Sequence, residues 1–437
     1  MKAQLLALFD AAVAAAHPDQ CLPPHLPAPP YGGRLVIVGA GKAAAAMAVT
    51  AERHYRALGV LDSVSGHVTS PYGYADTLAA PASIELASAR HPTPDGASVR
   101  AAETALNAVG RTTERDLVLV LLSGGASSLW ALPAEGIDLA AKTTLTRGLL
   151  KSGADIHEMN TVRRHLSRIK GGRLRKATRA PMLTLAISDV PGDDPATIGS
   201  GPTVPDPTTL ENARAVLAAR QPQMKALGLD VPAAIHAALA DERNETPKPD
   251  DPAFAGSAYR VIATPKQALV TAERLAESYG YQVINLGDAI TGEAREVAKE
   301  HARLAREIRS GGRRIAILSG GELSVTVRNR NGRGGRSQEY ALALAIALEG
   351  TAGISALAAD TDGIDGGEGK TTDPAGAIVT AHVLSRLRHL DAQNFLDNND
   401  ATAFFEAAGG LIARGPTHTN VNDFRVILVD PQPSSRP

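Results

Sequence analysis

Short apolar runs rich in Val, Ile and Leu recur along the chain and predict β-strands. Ala-rich stretches of helical composition separate many of these runs. Strands that are apolar on both faces and alternate with helices are typical of parallel sheets covered by helices on both sides. The pattern therefore predicts an α/β protein with mainly parallel sheets. The predicted strands lie at 34–38, 116–122, 182–187, 259–263, 282–286, 314–318, 355–359 and 425–429.

A charged, proline-rich stretch without an apolar face, DERNETPKPDDPAFAG at 241–256, marks a boundary between two domains. In each half a strand ends in Ser-Gly-Gly, at 123–125 and at 319–321. Ligands of open α/β sheets bind beyond the carboxyl ends of strands, so these turns predict the two walls of an interdomain cleft. The alternative is that glycine only permits a tight turn after each strand. The predicted division is an N-terminal α/β domain at 1–245, a linker at 246–257 and a C-terminal α/β domain at 258–437.

Composition narrows the classes of protein that fit. The chain has 437 residues with 45 basic and 46 acidic side chains, and this balance argues against a nucleic-acid or membrane-surface partner. The single cysteine, Cys21, excludes a disulfide within the chain and suits a reducing cytoplasm. Asp10 interrupts the apolar N-terminal stretch, which favours an amphipathic helix over a signal peptide. We therefore expect a cytoplasmic protein; a homo-oligomer is compatible with the sequence, which leaves the oligomeric state open.

The segment VIVGAGKAAAAMA at 36–48 runs from a predicted strand into an Ala-rich helix. Gly39 and Gly41 let the backbone approach an anion, the helix start presents N–H groups, and Lys42 adds a full charge. The GxGxxA pattern is also a dinucleotide fingerprint and predicts a Rossmann-like N-terminal domain. However, the plausible second strand at 64–69 ends without the acidic residue that a dinucleotide ribose needs. A phosphate site, a dinucleotide site and a simple tight turn remain open here.

A second candidate is the small, hydroxyl-rich turn in LLSGGASSLW at 121–130. Its successive backbone N–H groups could form an anion nest. A serine nucleophile is the alternative, and the absence of a GxSxG pattern disfavours it. The candidate phosphate-binding residues of this turn are Ser123, Gly124, Gly125, Ala126 and Ser127.

Basic residues are concentrated in MNTVRRHLSRIKGGRL at 159–174. Asn160 and Arg163 share one face of the predicted helix, and Lys170 precedes two glycines. A small carboxylate or phosphate substrate needs such a cluster in a protein without net positive charge. The alternative is a solvated basic helix.

Three aspartates that follow predicted strands are candidates for Mg²⁺ ligands: Asp189, Asp193 and Asp360. Asp189 could also accept a proton from a substrate hydroxyl. The alternative for each is a helix cap or turn residue. Arg336 lies near a predicted helix start in GRGGRSQE and could stabilise charge on a transferring phosphate, although a surface arginine is the alternative.

Taken together and in order, seven segments resemble the class II glycerate 2-kinases, a family whose members were often labelled hydroxypyruvate reductases. The resemblance covers about residues 5–430. The segments are VGAGKAA, LLSGGASS, MNTVRRHLSRIKGGRL, SDVPGDDPATIGSGPTVPDPTT, GGRSQE, DTDGIDG and GPTHTNVNDF.

This resemblance implies a D-glycerate 2-kinase that uses ATP and Mg²⁺ and makes 2-phosphoglycerate and ADP in a site between two α/β domains, the second of the MOFRL type. It implies that Lys42 is the catalytic lysine and Arg336 the catalytic arginine. Ser337, Trp130 and the loop GGEGKTTDP depart from the family pattern and put the substrate range in question.

We therefore expect the nucleotide phosphates at the turn 123–128 and the glycerate carboxylate at Arg163 or Lys170. An NAD(P)-dependent hydroxypyruvate reductase and a non-catalytic anion sensor are the alternative functions.

Overall fold

The structure, a computed structural model, describes residues 1–367 and 369–431. It divides into a continuous unit, Cys21–Ile262, and a discontinuous unit, Met1–Gln20 together with the chain from Ala263 onward. No helix in the described ranges is both long and apolar enough to cross a membrane. The helices are α1 Lys2–Ala16, α2 Pro18–Cys21, α3 Ala44–Ala57, α4 Gly96–Gly110, α5 Ala126–Leu129, α6 Leu139–Lys151, α7 Ile156–His165, α8 Arg173–Lys176, α9 Leu210–Ala226, α10 Ala233–Ala240, α11 Pro265–Ser278, α12 Ala294–Arg309, α13 Arg336–Leu348, α14 Val383–Arg386, α15 Ala392–Asp397 and α16 Ala401–Ala408.

The continuous unit is built on a six-stranded sheet in the order β3-β2-β1-β4-β5-β6. Strands β1 to β5 run parallel, as predicted. This is the strand order of the Rossmann fold, and its switch point lies between β1 and β4, where the direction of winding reverses. The sheet confirms the prediction of a Rossmann-like domain. Its strands are β1 Leu35–Ala40, β2 Val64–Pro71, β3 Ile84–Ala89, β4 Leu117–Leu122, β5 Met182–Ile187 and β6 Ser257–Ala263.

Side chains of the central strands pack against helices and bury this sheet. Val38 and Val120 pack in one cluster with Val109 of α4, while α3 contacts β1 and β2. Each fully buried Val or Leu contributes about 1.5–3 kcal/mol relative to exposure. The runs of consecutive apolar residues in the sequence are therefore strands whose side chains are buried on both faces of the sheet.

The discontinuous unit contains a second six-stranded sheet, in the order β13-β12-β11-β14-β9-β7. Only the β7–β9 pair is parallel; the other four pairs are antiparallel. The prediction of a mainly parallel sheet is therefore wrong for this half, although the α/β class is confirmed. The strands are β7 Gln282–Asn285, β9 Ile315–Ser319, β11 Ile354–Asp360, β12 Gly376–Val379, β13 Leu411–Ile412 and β14 Asp423–Val429, with a separate two-stranded pair of β8 Gly292–Glu293 and β10 Leu323–Ser324.

The apolar runs misled the prediction because they depend on burial of both faces of the sheet and not on strand direction. Phe424 of β14 contacts Phe9 of α1, with ring centroids 6.1 Å apart. Ile427 and Val429 of the same strand belong to the cluster formed with α12 and α13. Continuous apolar strands report burial on both faces, and an antiparallel sheet between two helix layers meets that condition as well.

The predicted domain division differs from the structure in two places. Helix α1 belongs to the discontinuous unit, and β6 is the last strand of the continuous unit's sheet. The predicted linker at 246–257 is anchored to the continuous unit: Thr246 is 3% exposed and donates to Asp206 (3.2 Å), and Lys176 pairs with Asp251 (2.9 Å). The segment lacks an apolar face because polar bonds, not apolar packing, hold it in place.

Candidate functional site

The carboxyl ends of β1 and β4 are joined by short hydrogen bonds at the switch point of the Rossmann sheet. The Lys42 N–H donates to the Gly124 carbonyl (2.8 Å), and the Ala43 N–H donates to the Ser123 hydroxyl (2.9 Å). The two motifs singled out in the sequence, GAGK and SGGASS, are therefore parts of one structure. In α/β sheets of this type, ligands bind at such a point.

Two glycines are required for this close approach. A Cβ on Gly41 would lie 2.1 Å from the Ser123 hydroxyl oxygen, and its φ of +140° suits glycine alone. Gly125 has a φ of +86°, and a Cβ there would lie 2.9 Å from the His91 ring and 3.6 Å from Cγ of Lys42. Gly39 lies within β1, and a Cβ there would lie 2.7 Å from the carbonyl oxygen of Leu121. Direct phosphate binding by Gly39 and Gly41 stays a prediction.

The turn after β4 offers backbone donors next to Lys42. The N–H groups of Gly124 and Gly125 have no protein acceptor within residues 1–367 and 369–431. The Ala126 N–H, in contrast, donates to the Ser123 carbonyl (3.3 Å) at the start of α5. Two adjacent free amides beside a lysine form the kind of concavity that binds anions.

A chain of buried polar contacts connects this turn to the basic segment. Lys170 donates from Nζ to the carbonyl (2.7 Å) and hydroxyl (3.1 Å) of Ser127. The Ser127 hydroxyl lies 2.9 Å from that of Ser200, which donates to Oδ1 of Asn160 (3.1 Å). The structure thus brings together the predicted residues Asn160, Ser127 and Lys170. Ser200 was missed; its signal was the IGSGPT stretch, which reads equally well as a turn.

Two further cations lie close to Lys170. Arg163, on α7, is half-buried, and Lys142, on α6, is 7% exposed and donates to the Leu166 carbonyl (3.0 Å). Burial, together with the charge of Arg163, lowers the pKa of Lys142 to about 7. Burial also lowers the pKa of Lys170 well below its usual range, with Lys142 and Arg163 adding to the effect. Lys142 was missed because one lysine in a helix resembles a solvated one.

The rest of the basic segment is structural or exposed. Arg164 forms a buried ion pair with Asp206 (3.0 Å), and His165 contacts Glu245 (3.1 Å). Arg168 is exposed. The solvated-helix alternative therefore holds for only part of the segment.

Two predicted aspartates follow β5 in the continuous unit. Asp189 is half-buried directly beyond the strand end. Asp193 has a φ of 56°, and its buried Oδ1 has no hydrogen-bond partner in the described part of the chain. Among the described residues, no group of three or more His, Cys, Asp or Glu is arranged to hold a metal ion. A Mg²⁺ site at these residues stays a prediction.

In the discontinuous unit, Arg336 begins α13 and contacts three carboxylates. Its guanidinium pairs with Glu322 (2.8 Å), Asp360 (2.9 Å) and Asp423 (2.8 Å). Burial alone would lower the pKa of Arg336, but the three negative charges outweigh that effect and raise it. Arg336 is therefore no ordinary surface arginine. Asp360, predicted as a metal ligand, is an ion-pair partner of Arg336 here.

More charged groups surround this arginine at the ends of β9 and β11. Arg425, 1% exposed, pairs with Asp423 (3.1 Å) and donates to the Gly320 carbonyl of the second Ser-Gly-Gly turn. Asp365 accepts from the Gln338 N–H (2.8 Å) at the start of α13, and burial together with the charge of Asp423 raises its pKa to about 7. Arg425 and Asp423 were missed, although charges inside the apolar run NDFRVILV were a visible signal.

The two halves match two family profiles. Residues 4–239 match the profile described as "Domain of unknown function (DUF4147)", and residues 315–423 match the MOFRL family. The chain is thus an α/β protein that combines a DUF4147 region with a MOFRL region.

Similar proteins agree along nearly the whole chain. A D-glycerate 2-kinase of Thermotoga maritima is 36% identical and covers 98% of both chains, and a putative hydroxypyruvate reductase of Agrobacterium vitis is 46% identical over 97% of this chain and 93% of its own. The crystal structure of a glycerate kinase from Thermotoga maritima superimposes with a TM-score of 0.83 at 35% identity, covering 98% of this chain and 99% of that chain. The chain belongs to the class II glycerate 2-kinase family.

Proposed function

We propose that this protein transfers a phosphoryl group from ATP to the 2-hydroxyl of D-glycerate and releases 2-phosphoglycerate and ADP. The observation that carries the proposal is the anion-binding geometry at the switch point. There, Lys42 and the free amides of Gly124 and Gly125 lie beside a turn that also contacts Lys170. The names of the relatives, glycerate 2-kinases from a bacterium and an archaeon, support the same reaction.

Each part of the site has a role in this reaction. The turn at 123–128 binds the nucleotide phosphates through backbone donors, and Lys42 stabilises charge on the transferring phosphoryl group. Arg163 and Lys170 bind the glycerate carboxylate. The role of Arg336 as the family's catalytic arginine rests on the family resemblance alone. Catalysis then rests on positioning and on fixed positive charge, as in phosphoryl transfer generally.

The aspartates of the continuous unit fit a Mg²⁺ ion. Mg²⁺ takes oxygen ligands and needs only one or two protein carboxylates when phosphates supply others. Asp189 and Asp193 offer such oxygens, and the buried Oδ1 of Asp193 has no hydrogen-bond partner among the residues that the structure describes. Bound there, Mg²⁺ would neutralise phosphate charge. Asp360 would be available only if its contact with Arg336 opened. Asp189 is our candidate for the acceptor of the hydroxyl proton.

The hydroxypyruvate reductase alternative is less well supported. A nicotinamide dinucleotide in a Rossmann domain needs an acidic residue at the end of the second strand, for its ribose. Strand β2 ends in Thr69-Ser70-Pro71 without one. The reductase name among the relatives is given as putative. A fall in NADH absorbance at 340 nm, when the protein is mixed with NADH and hydroxypyruvate without ATP, would support the reductase instead. A cytoplasmic location and the oligomeric state stay predictions.

Replacement of Lys42 tests the kinase assignment. We expect Lys42→Ala to lower kcat at least about 100-fold, because it removes the positive charge that stabilises the transferring phosphoryl group. Activity is measured as ADP release with glycerate and ATP, and ³¹P NMR distinguishes the 2-phosphorylated from the 3-phosphorylated product.

Lys151→Ala, an exposed lysine of α6, serves as the matched control and should retain wild-type activity. A Lys42→Ala enzyme with near-normal kcat would contradict the role of Lys42, and a wild-type protein that releases no ADP with glycerate would contradict the function itself.

A further inference from the structure

Three cations of the continuous unit form a group that we call the three-cation cluster: Lys142, Arg163 and Lys170. Lys142 comes from α6, Arg163 from α7, and Lys170 from the segment that follows α7. Lys142 and Lys170 are 7% and 2% exposed. The three lie close enough that the charge of Arg163 lowers the pKa of both lysines and the charge of Lys142 lowers that of Lys170.

Among the described residues, no Asp or Glu compensates the charge of the cluster. None of its members forms an ion pair with Asp or Glu within residues 1–367 and 369–431; Lys142 and Lys170 donate only to a carbonyl and to Ser127, and Arg163 makes no hydrogen bond. Arg164, the next residue along α7, shows the usual arrangement, because Asp206 neutralises it (3.0 Å). Burying several like charges without a partner is costly, so this arrangement indicates a place for an anionic ligand.

The number of charges indicates what kind of anion the cluster suits. Glycerate carries one negative charge, on its carboxylate, and two cations would suffice for it. A phosphate ester adds about 1.5 to 2 negative charges near neutral pH. A small molecule with both groups carries about three charges, and this matches three cations better than glycerate does.

We propose that Lys142, Arg163 and Lys170 form one preformed site for a small organic phosphate that also carries a carboxylate, with Lys142 as a third ligand-binding residue. The identity of the ligand rests on the proposed function, under which it is the product, 2-phosphoglycerate. The site therefore binds the product more tightly than the substrate, and the enzyme is inhibited by its own product.

Proton uptake accompanies binding at this site. An anion near Lys142 and Lys170 favours their charged forms, so each takes up a proton that burial had displaced. Arg163 stays charged throughout and contributes no proton. Ser127 and Ser200, which line the neighbouring contacts, do not titrate. At pH 8, above the pKa of about 7 in unliganded Lys142, the uptake should be measurable.

Calorimetry without ATP tests the inference. Ligand-free enzyme is titrated at pH 8 with 2-phosphoglycerate and separately with glycerate, in Tris and in HEPES, whose ionisation enthalpies differ. We expect 2-phosphoglycerate to bind at least about tenfold more tightly than glycerate, with net proton uptake. Lys142→Met should weaken 2-phosphoglycerate about 10- to 100-fold, weaken glycerate less, and reduce the proton uptake.

Lys151→Met, on the same helix but exposed, is the matched control and should bind both ligands like the wild type. Lys142→Arg keeps the positive charge and should restore much of the affinity, which shows that loss in Lys142→Met is not loss of folding. Unchanged affinity and proton uptake in Lys142→Met would overturn the inference.

Kinase turnover, measured separately, distinguishes this inference from the proposed function. An active kinase that prefers glycerate over 2-phosphoglycerate overturns the inference alone. A protein without turnover that binds 2-phosphoglycerate through Lys142 upholds the anion site and overturns the kinase assignment.

Discussion

The half-buried Arg336 and the buried Lys170 show two opposite environments for a cation in one protein. Three carboxylates surround Arg336, whereas Lys170 has two cationic neighbours and only neutral acceptors. The first arrangement fixes a guanidinium in one orientation at the start of α13. The second leaves a lysine whose charged form no carboxylate among the described residues stabilises. Carboxylates of the protein therefore position Arg336, whereas the surroundings of Lys170 suit an anionic ligand.

The partners of Arg336 differ in burial, and burial should decide what their loss costs. Asp423 is fully buried and also pairs with Arg425, so Asp423→Asn should destabilise the protein by about 3–5 kcal/mol. Glu322 is 55% exposed, so Glu322→Gln should cost under about 1 kcal/mol. Urea unfolding of both variants measures the difference. Equal losses for the two would contradict this account of Arg336.

At the scale of elements, the turn that joins β1 and β4 depends on backbone proximity. A methyl group on Gly41 cannot fit beside Ser123, and the backbone there has a positive φ. We expect Gly41→Ala to cost about 1–3 kcal/mol or more and to weaken ATP binding, because the strand ends must separate. Thermal unfolding and nucleotide titration measure the two effects.

Gly110→Ala, at the end of α4, is the control, because the nearest atom to its new Cβ is 3.8 Å away. This variant should be as stable as the wild type or slightly more so. If Gly41→Ala behaved like Gly110→Ala, the close approach of the two strand ends would not be needed for binding.

Elements and motifs were predictable to different degrees. All eight strands predicted from apolar runs are present, because burial on both faces leaves a continuous signal. The same signal carries no information on strand direction, so the antiparallel pairing of β11 and β14 could not be inferred. Lys142 and Ser200 were missed because their importance lies in burial and neighbours, and a single lysine or serine in a polar context shows neither.

The whole molecule contains one unit that is discontinuous in sequence. Helix α1 packs against α11, β11 and β14, so residues from both ends of the chain complete this unit. The sequence predicted α1 as an amphipathic helix but assigned it to the N-terminal domain, because proximity along the chain is the only guide before structure is known. Leu5, Leu8 and Phe9 are buried there.

This arrangement makes α1 a determinant of the stability of the discontinuous unit. Phe9→Ala should cost about 3–5 kcal/mol, because it removes a buried aromatic side chain against Phe424. Trp130, the only tryptophan of the chain, lies in the core of the continuous unit and reports on that unit. On heating, we expect the unfolding transition of Phe9→Ala seen by circular dichroism to begin at a lower temperature than in the wild type. The transition seen by Trp130 fluorescence should shift less.

Lys2→Ala, an exposed change on the same helix, should shift neither signal. If Phe9→Ala shifted the fluorescence and dichroism transitions equally, the two units would unfold as one cooperative body, and the loss would not be local to the unit that contains α1.

The position of α1 also matters while the protein is being made. The ribosome adds about 5–20 residues per second, so α1 is made roughly 13 to 52 s before α11, against which it packs, is complete. The continuous unit can fold in the meantime, since all of its strands lie between the two parts of the other unit. Until α11 has been made, the apolar side of α1 lacks the neighbours it has in the folded unit, so it offers chaperones an apolar binding surface.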